Sequence, residues 1–324
     1  MTALDQRHQD LPLARHGSVR YSGSMSEHPP QSGDSMAGFG FAVSAYLFWG
    51  VLPLYMKAVD HIPAVEVIAH RVLWSVPIAG LLLIVLRRTE DLRRALAQPR
   101  MIGMAAVTAA MISINWGVYV WAIANDRAID AALGYYINPL FSVALGAIVL
   151  RESLAWLQWA AVALAAIAVI ILTWFTGSLP WVALVLLVTF GVYGYLRKTL
   201  PIGANQGFLL EVLLLSPFAI AYMIWLGPEG HFLTTGWHDT ALLIGCGAVT
   251  ATPLILYANG AKRLKLSTIG ILQFIAPTMI FLIAVFVFGE PFGTARAIAF
   301  PLIWLALIMY TASMLHSARA ARTP

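Results

Sequence analysis

The chain has 324 residues, 60% of them apolar and only 11% charged, with a formal net charge of +5. A soluble domain carries about 25% charged residues, so this composition cannot cover a water-facing surface and points to a membrane protein. One cysteine excludes an internal disulfide or a thiolate cluster, and the eight scattered histidines show no zinc-like spacing.

Residues 1–36 come first. They are polar, rich in Ser, Pro and charge, and lack the apolar stretch that a signal peptide needs. They read as a disordered cytoplasmic tail. Ten apolar stretches follow, each close to the ~20 residues that cross a bilayer as a helix: 37–57, 66–86, 101–124, 130–149, 154–174, 179–197, 206–226, 241–261, 267–288 and 294–315. Residues 316–324 form a cytoplasmic C-terminal tail. The connections are mostly short and leave no room for a soluble domain. The expected fold class is therefore an all-α polytopic membrane protein with ten transmembrane helices.

Cation placement supports the count. Lys57, Arg127 and Arg296 are the cations of the odd-numbered gaps between spans. Apart from Arg71, the others fall in the even-numbered gaps and the tails. Cytoplasmic loops carry the excess of Lys and Arg, so both termini are expected inside. This distribution accounts for the positive charge without a nucleic-acid partner.

The two halves of the chain repeat one another. With "INPLFSVALGAIVLRES" set over "IAPTMIFLIAVFVFGEP", Pro139 falls on Pro277 and Glu152 on Glu290. The same offset sets Tyr119 over Tyr257 and Tyr135 over Gln273. Nearer the start of each half, "WGVLPLYMK" aligns with "FGVYGYLRK" and brings Lys57 over Lys198. Five spans per half means that the second copy enters the membrane from the opposite side. The expected domains are thus two inverted-topology repeats, 37–174 and 179–315, a plan that in transporters places the substrate site near the midplane between the halves.

Polar residues inside the spans are the candidate site. Arg71 stands in the run "EVIAHRVLWS", where a charge is costly. It is either a structural arginine snorkelling at the outer rim or a cationic anchor in a cavity, whose planar guanidinium suits a carboxylate. Glu66 and His70 share a helix face, so Glu66 has a structural role and sets the state of His70. The pair lacks the further ligands a metal needs. Asn115 and Tyr119 share a face of span 3 beside Trp116, as cavity lining or as interhelical glue. Pro139 and Pro277 each free a backbone carbonyl and make a symmetric pair of hinges, with Tyr135 and Gln273 one turn before them. Glu152 and Glu290 open spans 5 and 10 and read as structural acids at helix N-termini. Glu211 is the one acid well inside a span. It is an inner-face ion pair with Arg197 or Lys198, or a lone carboxyl able to carry a proton.

The stretches "AYLFWGVLPLYMK", "EVIAHRVLWS", "NWGVYVWA", "LGYYINPL", "LQFIAPT" and "FGEPF" resemble the RarD branch of the EamA-type permeases, in the drug/metabolite transporter superfamily, over about 37–315. The resemblance implies two inverted five-helix halves, a bacterial inner-membrane location, and export of small metabolites or drugs, with chloramphenicol suggested by the branch name. Together with the residues, it gives an expected function. The protein is a secondary transporter of small amphipathic, aromatic or zwitterionic solutes, with Arg71, His70, Asn115, Trp116, Tyr119, Tyr135, Tyr257 and Gln273 around one cavity. The partners are the solute and the lipid bilayer. Nothing in the sequence sets monomer against homodimer. Walker A, GxGxxG and GxSxG motifs are absent, so no cofactor and no enzyme activity is expected. The alternatives are a membrane-embedded enzyme, which lacks an assignable nucleophile, and a channel-like facilitator, which needs a ring of equivalent polar groups.

Overall fold

The computed structural model describes residues 35–150, 154–261, 263–264 and 266–320. Glu152, most of the N-terminal tail and residues 321–324 lie outside them. The described elements are all helical: α1 (Met36–Ala58), α2 (Ala64–Val85), α3 (Thr89–Leu96), α4 (Pro99–Ala124), α5 (Ala128–Leu150), α6 (Trp156–Thr176), α7 (Trp181–Thr199), α8 (Ala204–Leu226), a short 3₁₀ turn (Gly227–Glu229), α9 (Trp237–Ala261), α10 (Leu266–Leu272), α11 (Ile275–Phe286) and α12 (Thr294–Ala320). Among the described residues nine stretches are long and apolar enough to cross a membrane, and a shorter apolar helix spans Trp181–Arg197.

Local chemistry sets several boundaries. The Ser35 side chain accepts the Gly38 N–H at 3.0 Å and caps α1. Pro99 opens α4, where its missing N–H costs nothing. Gly177 ends α6 with φ of 65°, a left-handed conformation that glycine adopts freely.

Three features depart from the expected spans. The stretch 267–288 is not one helix. Pro277 has no N–H to offer the Gln273 carbonyl and its ring crowds that group, so the helix stops at Leu272 and restarts at Ile275. By contrast, α5 runs unbroken through Pro139. The gap between the second and third spans holds α3, and α12 continues past 315 to Ala320.

The main packing partners are α6 with α12, α5 with α7, α2 with α8 and α9, α1 with α9 and α11, and α4 with α7 and α8. Each joins a helix before Gly177 to one after it. Small residues let backbones approach. A Cβ on Gly247 of α9 would lie 2.4 Å from the Trp74 backbone of α2, and one on Gly134 of α5 would lie 2.7 Å from the Ala183 carbonyl of α7. Helices α2 and α8 run antiparallel: Glu66, at the start of α2, bonds His231 just beyond the end of α8, and Leu73 shares a cavity wall with Met223.

Candidate functional site

The site is built around Arg71, about two turns inside the start of α2. The residue is 3% exposed. Its Nε donates to Thr250 Oγ1 of α9 at 3.1 Å, and its guanidinium lies over the Trp116 ring of α4, 4.8 Å from the centroid. Nη1 is buried and has no hydrogen-bond partner. Cys246, Tyr119 and Tyr135 lie within electrostatic reach of the charge.

Asn115 sits on the same helix as Trp116 and is buried. Its amide donates to the Leu186 carbonyl at 3.2 Å and to Thr189 Oγ1 at 3.0 Å, both on α7. Its carbonyl accepts the Tyr135 hydroxyl of α5 at 3.1 Å. The rings of Tyr119 and Tyr135 are 6.0 Å apart. The Tyr119 hydroxyl, like Arg71 Nη1, is buried without a partner.

The structure thus brings together Arg71, Asn115, Trp116, Tyr119 and Tyr135. The other three expected residues fall elsewhere. His70 accepts the Trp74 indole N–H at Nδ1, 3.1 Å away, and faces the Phe232 ring. Tyr257 packs edge-on with Tyr46 and beside Trp49. Gln273 stands at the break between α10 and α11. The group around Arg71 is closed. Two cavities lie elsewhere, one of about 310 Å³ lined by residues such as Leu73, Met223 and Phe232, the other of about 550 Å³ beside Arg94, Gln98 and Gly203.

The acids resolve differently from their sequence neighbourhoods. Glu66 does not turn to His70. Its carboxylate accepts the His231 backbone N–H at 2.6 Å and contacts His231 Nδ1 at 2.9 Å. Glu290 does not serve the helix it precedes. It accepts the N–H groups of Ala128 at 2.5 Å and Ile129 at 2.9 Å, capping α5. Burial pushes its carboxyl above the usual range, against the opposing pull of those two N–H groups and of Arg296. Of the two situations open to Glu211, this structure holds the ion pair. Oε1 is 3.4 Å from Arg197 Nη1 and accepts the Thr108 hydroxyl at 2.7 Å, while Oε2 accepts the Tyr193 hydroxyl at 3.1 Å. Among the described residues no group of three or more His, Cys, Asp or Glu is placed to hold a metal.

Thr250, Thr189, Thr108, Tyr193 and His231 were not singled out by the sequence. A threonine within an apolar run gives little signal, because its hydroxyl is routinely satisfied by its own helix. His231 meets Glu66 only through the fold.

The EamA-like transporter family matches residues 36–174. An uncharacterized transporter of Vibrio cholerae serotype O1 is 42% identical over 295 residues, covering 90% of this chain and 98% of its own. Protein RarD of Escherichia coli K12 is 37% identical over 284 residues, covering 87% and 96%. The chloramphenicol-sensitive protein RarD of Pseudomonas aeruginosa is 32% identical over 276 residues, covering 84% and 92%. One solved structure, described as "Crystal structure of protein", superposes with a TM-score of 0.56 at 18% identity, over 85% of this chain and 97% of its own, a likeness of fold alone. The matched family is one of transporters and the Vibrio relative is named as one, and the described helices are those of a multi-pass membrane protein. The chain belongs to the EamA-like transporter family, alongside its RarD members.

Proposed function

We propose that this transporter is a secondary carrier of small amphipathic solutes, aromatic or zwitterionic, acting outward across a bacterial inner membrane. It works by alternating access between two inverted five-helix halves, 37–174 and 179–315, with both termini cytoplasmic. The packing supports that plan. If α1, α2, α4, α5 and α6 are exchanged in order for α7, α8, α9, the α10–α11 pair and α12, the set of principal partners maps onto itself. The α2–α9 contact becomes α8–α4, the α5–α7 contact becomes α11–α1, and α6–α12 and α2–α8 map onto themselves. The cation distribution supports the orientation.

One observation carries the solute class. Arg71 Nη1 and the Tyr119 hydroxyl are buried donors without partners in one closed group. A buried polar group left unsatisfied costs about 1–3 kcal/mol, and a ligand acceptor such as a carboxylate removes that cost. The Trp116, Tyr119 and Tyr135 rings suit the apolar part of the solute. Pro277, beside the break between α10 and α11, is the hinge of the second half, and Pro139, inside the unbroken α5, is the corresponding point at which the first half would bend. The name of the Pseudomonas relative makes chloramphenicol a solute to include.

Counterflow in proteoliposomes tests the carrier reading without assuming a driving ion. Vesicles preloaded with aromatic and zwitterionic solutes should take up labelled solute saturably. Uptake that rises linearly with concentration, without exchange, would refute a carrier and favour a channel-like facilitator.

A further inference from the structure

The Arg71 and Glu211 sites match each other across the repeat. Arg71 lies about two turns inside the start of α2, and Glu211 about two turns inside the start of α8. The register that sets Lys57 over Lys198 also sets Glu211 over His70, next to Arg71. The antiparallel packing of α2 and α8 puts the two sites toward opposite ends of the pair.

Each buried charge reaches across to a threonine of the other half. Arg71 donates to Thr250 on α9, and Glu211 accepts from Thr108 on α4. Exchanging the halves turns α2–α9 into α8–α4, so these are equivalent contacts. The register that sets Tyr119 over Tyr257 places Thr108 over Cys246, one turn from Thr250.

Each charge also has a partner within its own half. Arg71 lies on Trp116, and Glu211 has Tyr193 and Arg197. Each threonine has a fallback on its own helix: the Thr250 hydroxyl donates to the Cys246 carbonyl at 2.7 Å, and the Thr108 hydroxyl lies 3.0 Å from the Ala105 carbonyl. Breaking the Glu211–Thr108 bond therefore strands neither the carboxyl nor the hydroxyl, and breaking Arg71–Thr250 leaves the hydroxyl on its own helix and the guanidinium on the Trp116 ring.

We infer that Arg71–Thr250 and Glu211–Thr108 are two clasps between the halves, the first released when the outer path opens and the second when the inner path opens. Both are closed here, which fits the buried state of the site. The inference rests on the carrier reading for its direction. It adds Glu211, Thr108 and Thr250 to the residues that transport uses.

Two reporters test it in the full chain. Cys246 is fully buried one turn before Thr250, and Ala105 is fully buried one turn before Thr108. Labelling by an impermeant maleimide is followed at native Cys246 from outside, and at Ala105→Cys from inside in a Cys246→Ala chain. Thr250→Val keeps the side-chain shape and should speed labelling of Cys246 by about tenfold, the shift expected from losing one buried hydrogen bond. Labelling at Ala105→Cys should be no faster. Thr108→Val should do the reverse, and Thr250→Ser and Thr108→Ser should match wild type. The inference is overturned if either valine variant, still monodisperse in detergent, speeds both reporters, neither, or the wrong one. Labelling needs no solute, so a failed counterflow screen would count against the carrier reading while leaving the clasps separately measurable.

Discussion

Gly207 lies under the Arg197 side chain, and replacing it with alanine puts a number on the Glu211 ion pair. A Cβ at this position would sit 1.8 Å from Arg197 Nη1 and 2.7 Å from Cζ, so the guanidinium must swing away. That breaks the 3.4 Å contact with Glu211 and the 2.8 Å bond from Nη2 to the Ala204 carbonyl. Removing one partner of a buried pair costs about 3–5 kcal/mol. Here the Arg197 side chain is 15% exposed and Glu211 keeps two hydroxyl donors, so the loss is about 2–3 kcal/mol. Alanine recovers about 1 kcal/mol over glycine in a helix interior, leaving a net destabilisation of about 1–2 kcal/mol. Gly80 and Gly103, also helical, have nothing within 4 Å of an added Cβ. Their alanine variants should gain about 0.5–1 kcal/mol. Thermal unfolding in detergent, followed by tryptophan fluorescence, compares the three. Gly207→Ala should melt below wild type and the other two at or above it. Glu211→Gln in the Gly207→Ala chain should recover part of the loss, because no charge is then stranded. Equal melting of all three variants, or no recovery, would refute the reasoning.

Gly247→Ala should destabilise by about 1–3 kcal/mol through overpacking, because the backbone of Trp74 is the obstacle rather than a flexible side-chain tip; thermal melting reads this directly. Asn115→Leu should cost about 1–3 kcal/mol by stranding the Tyr135 hydroxyl, and a matched Tyr135→Phe in the same chain should recover much of it. Glu290 binds its proton more tightly in the folded chain than the ordinary value of 4.5. Its contribution to stability is therefore present below that value and lost as pH rises through the higher folded-state value. Melting temperatures against pH should accordingly lose that component in Glu290→Gln.

The helices were legible because length and hydropathy alone decide a span, but the prolines marked hinges alike at Pro139 and Pro277, and only the second breaks its helix. The α3 helix also carried a readable pattern: Glu90 and Asp91 in its first turn, Arg93 and Arg94 in its last, and Glu90 four residues before Arg94. It passed as a connection because it is short and polar. Of the site, Arg71, Asn115 and Tyr119 stood out because polarity in an apolar run is costly and therefore informative. What the sequence hid were partners set by tertiary packing. Glu66 has His70 one turn away on its own helix, yet binds His231 across the fold. Glu290 precedes one helix and caps another. A local spacing rule sees only the nearer choice. The aromatic residues were misgrouped for a related reason: repeat alignment makes Tyr119 and Tyr257 equivalent, but equivalence in an inverted repeat does not place them in one cluster.

The central claim is that Arg71 anchors an acceptor group of the solute. Its most direct test is counterflow with an aromatic carboxylic acid and its neutral amide, in wild type and in Arg71→Ala, with both proteins shown to be folded in the membrane. The account predicts that wild type exchanges the acid faster than the amide and that Arg71→Ala loses that preference. An undiminished preference for the acid in Arg71→Ala would contradict it.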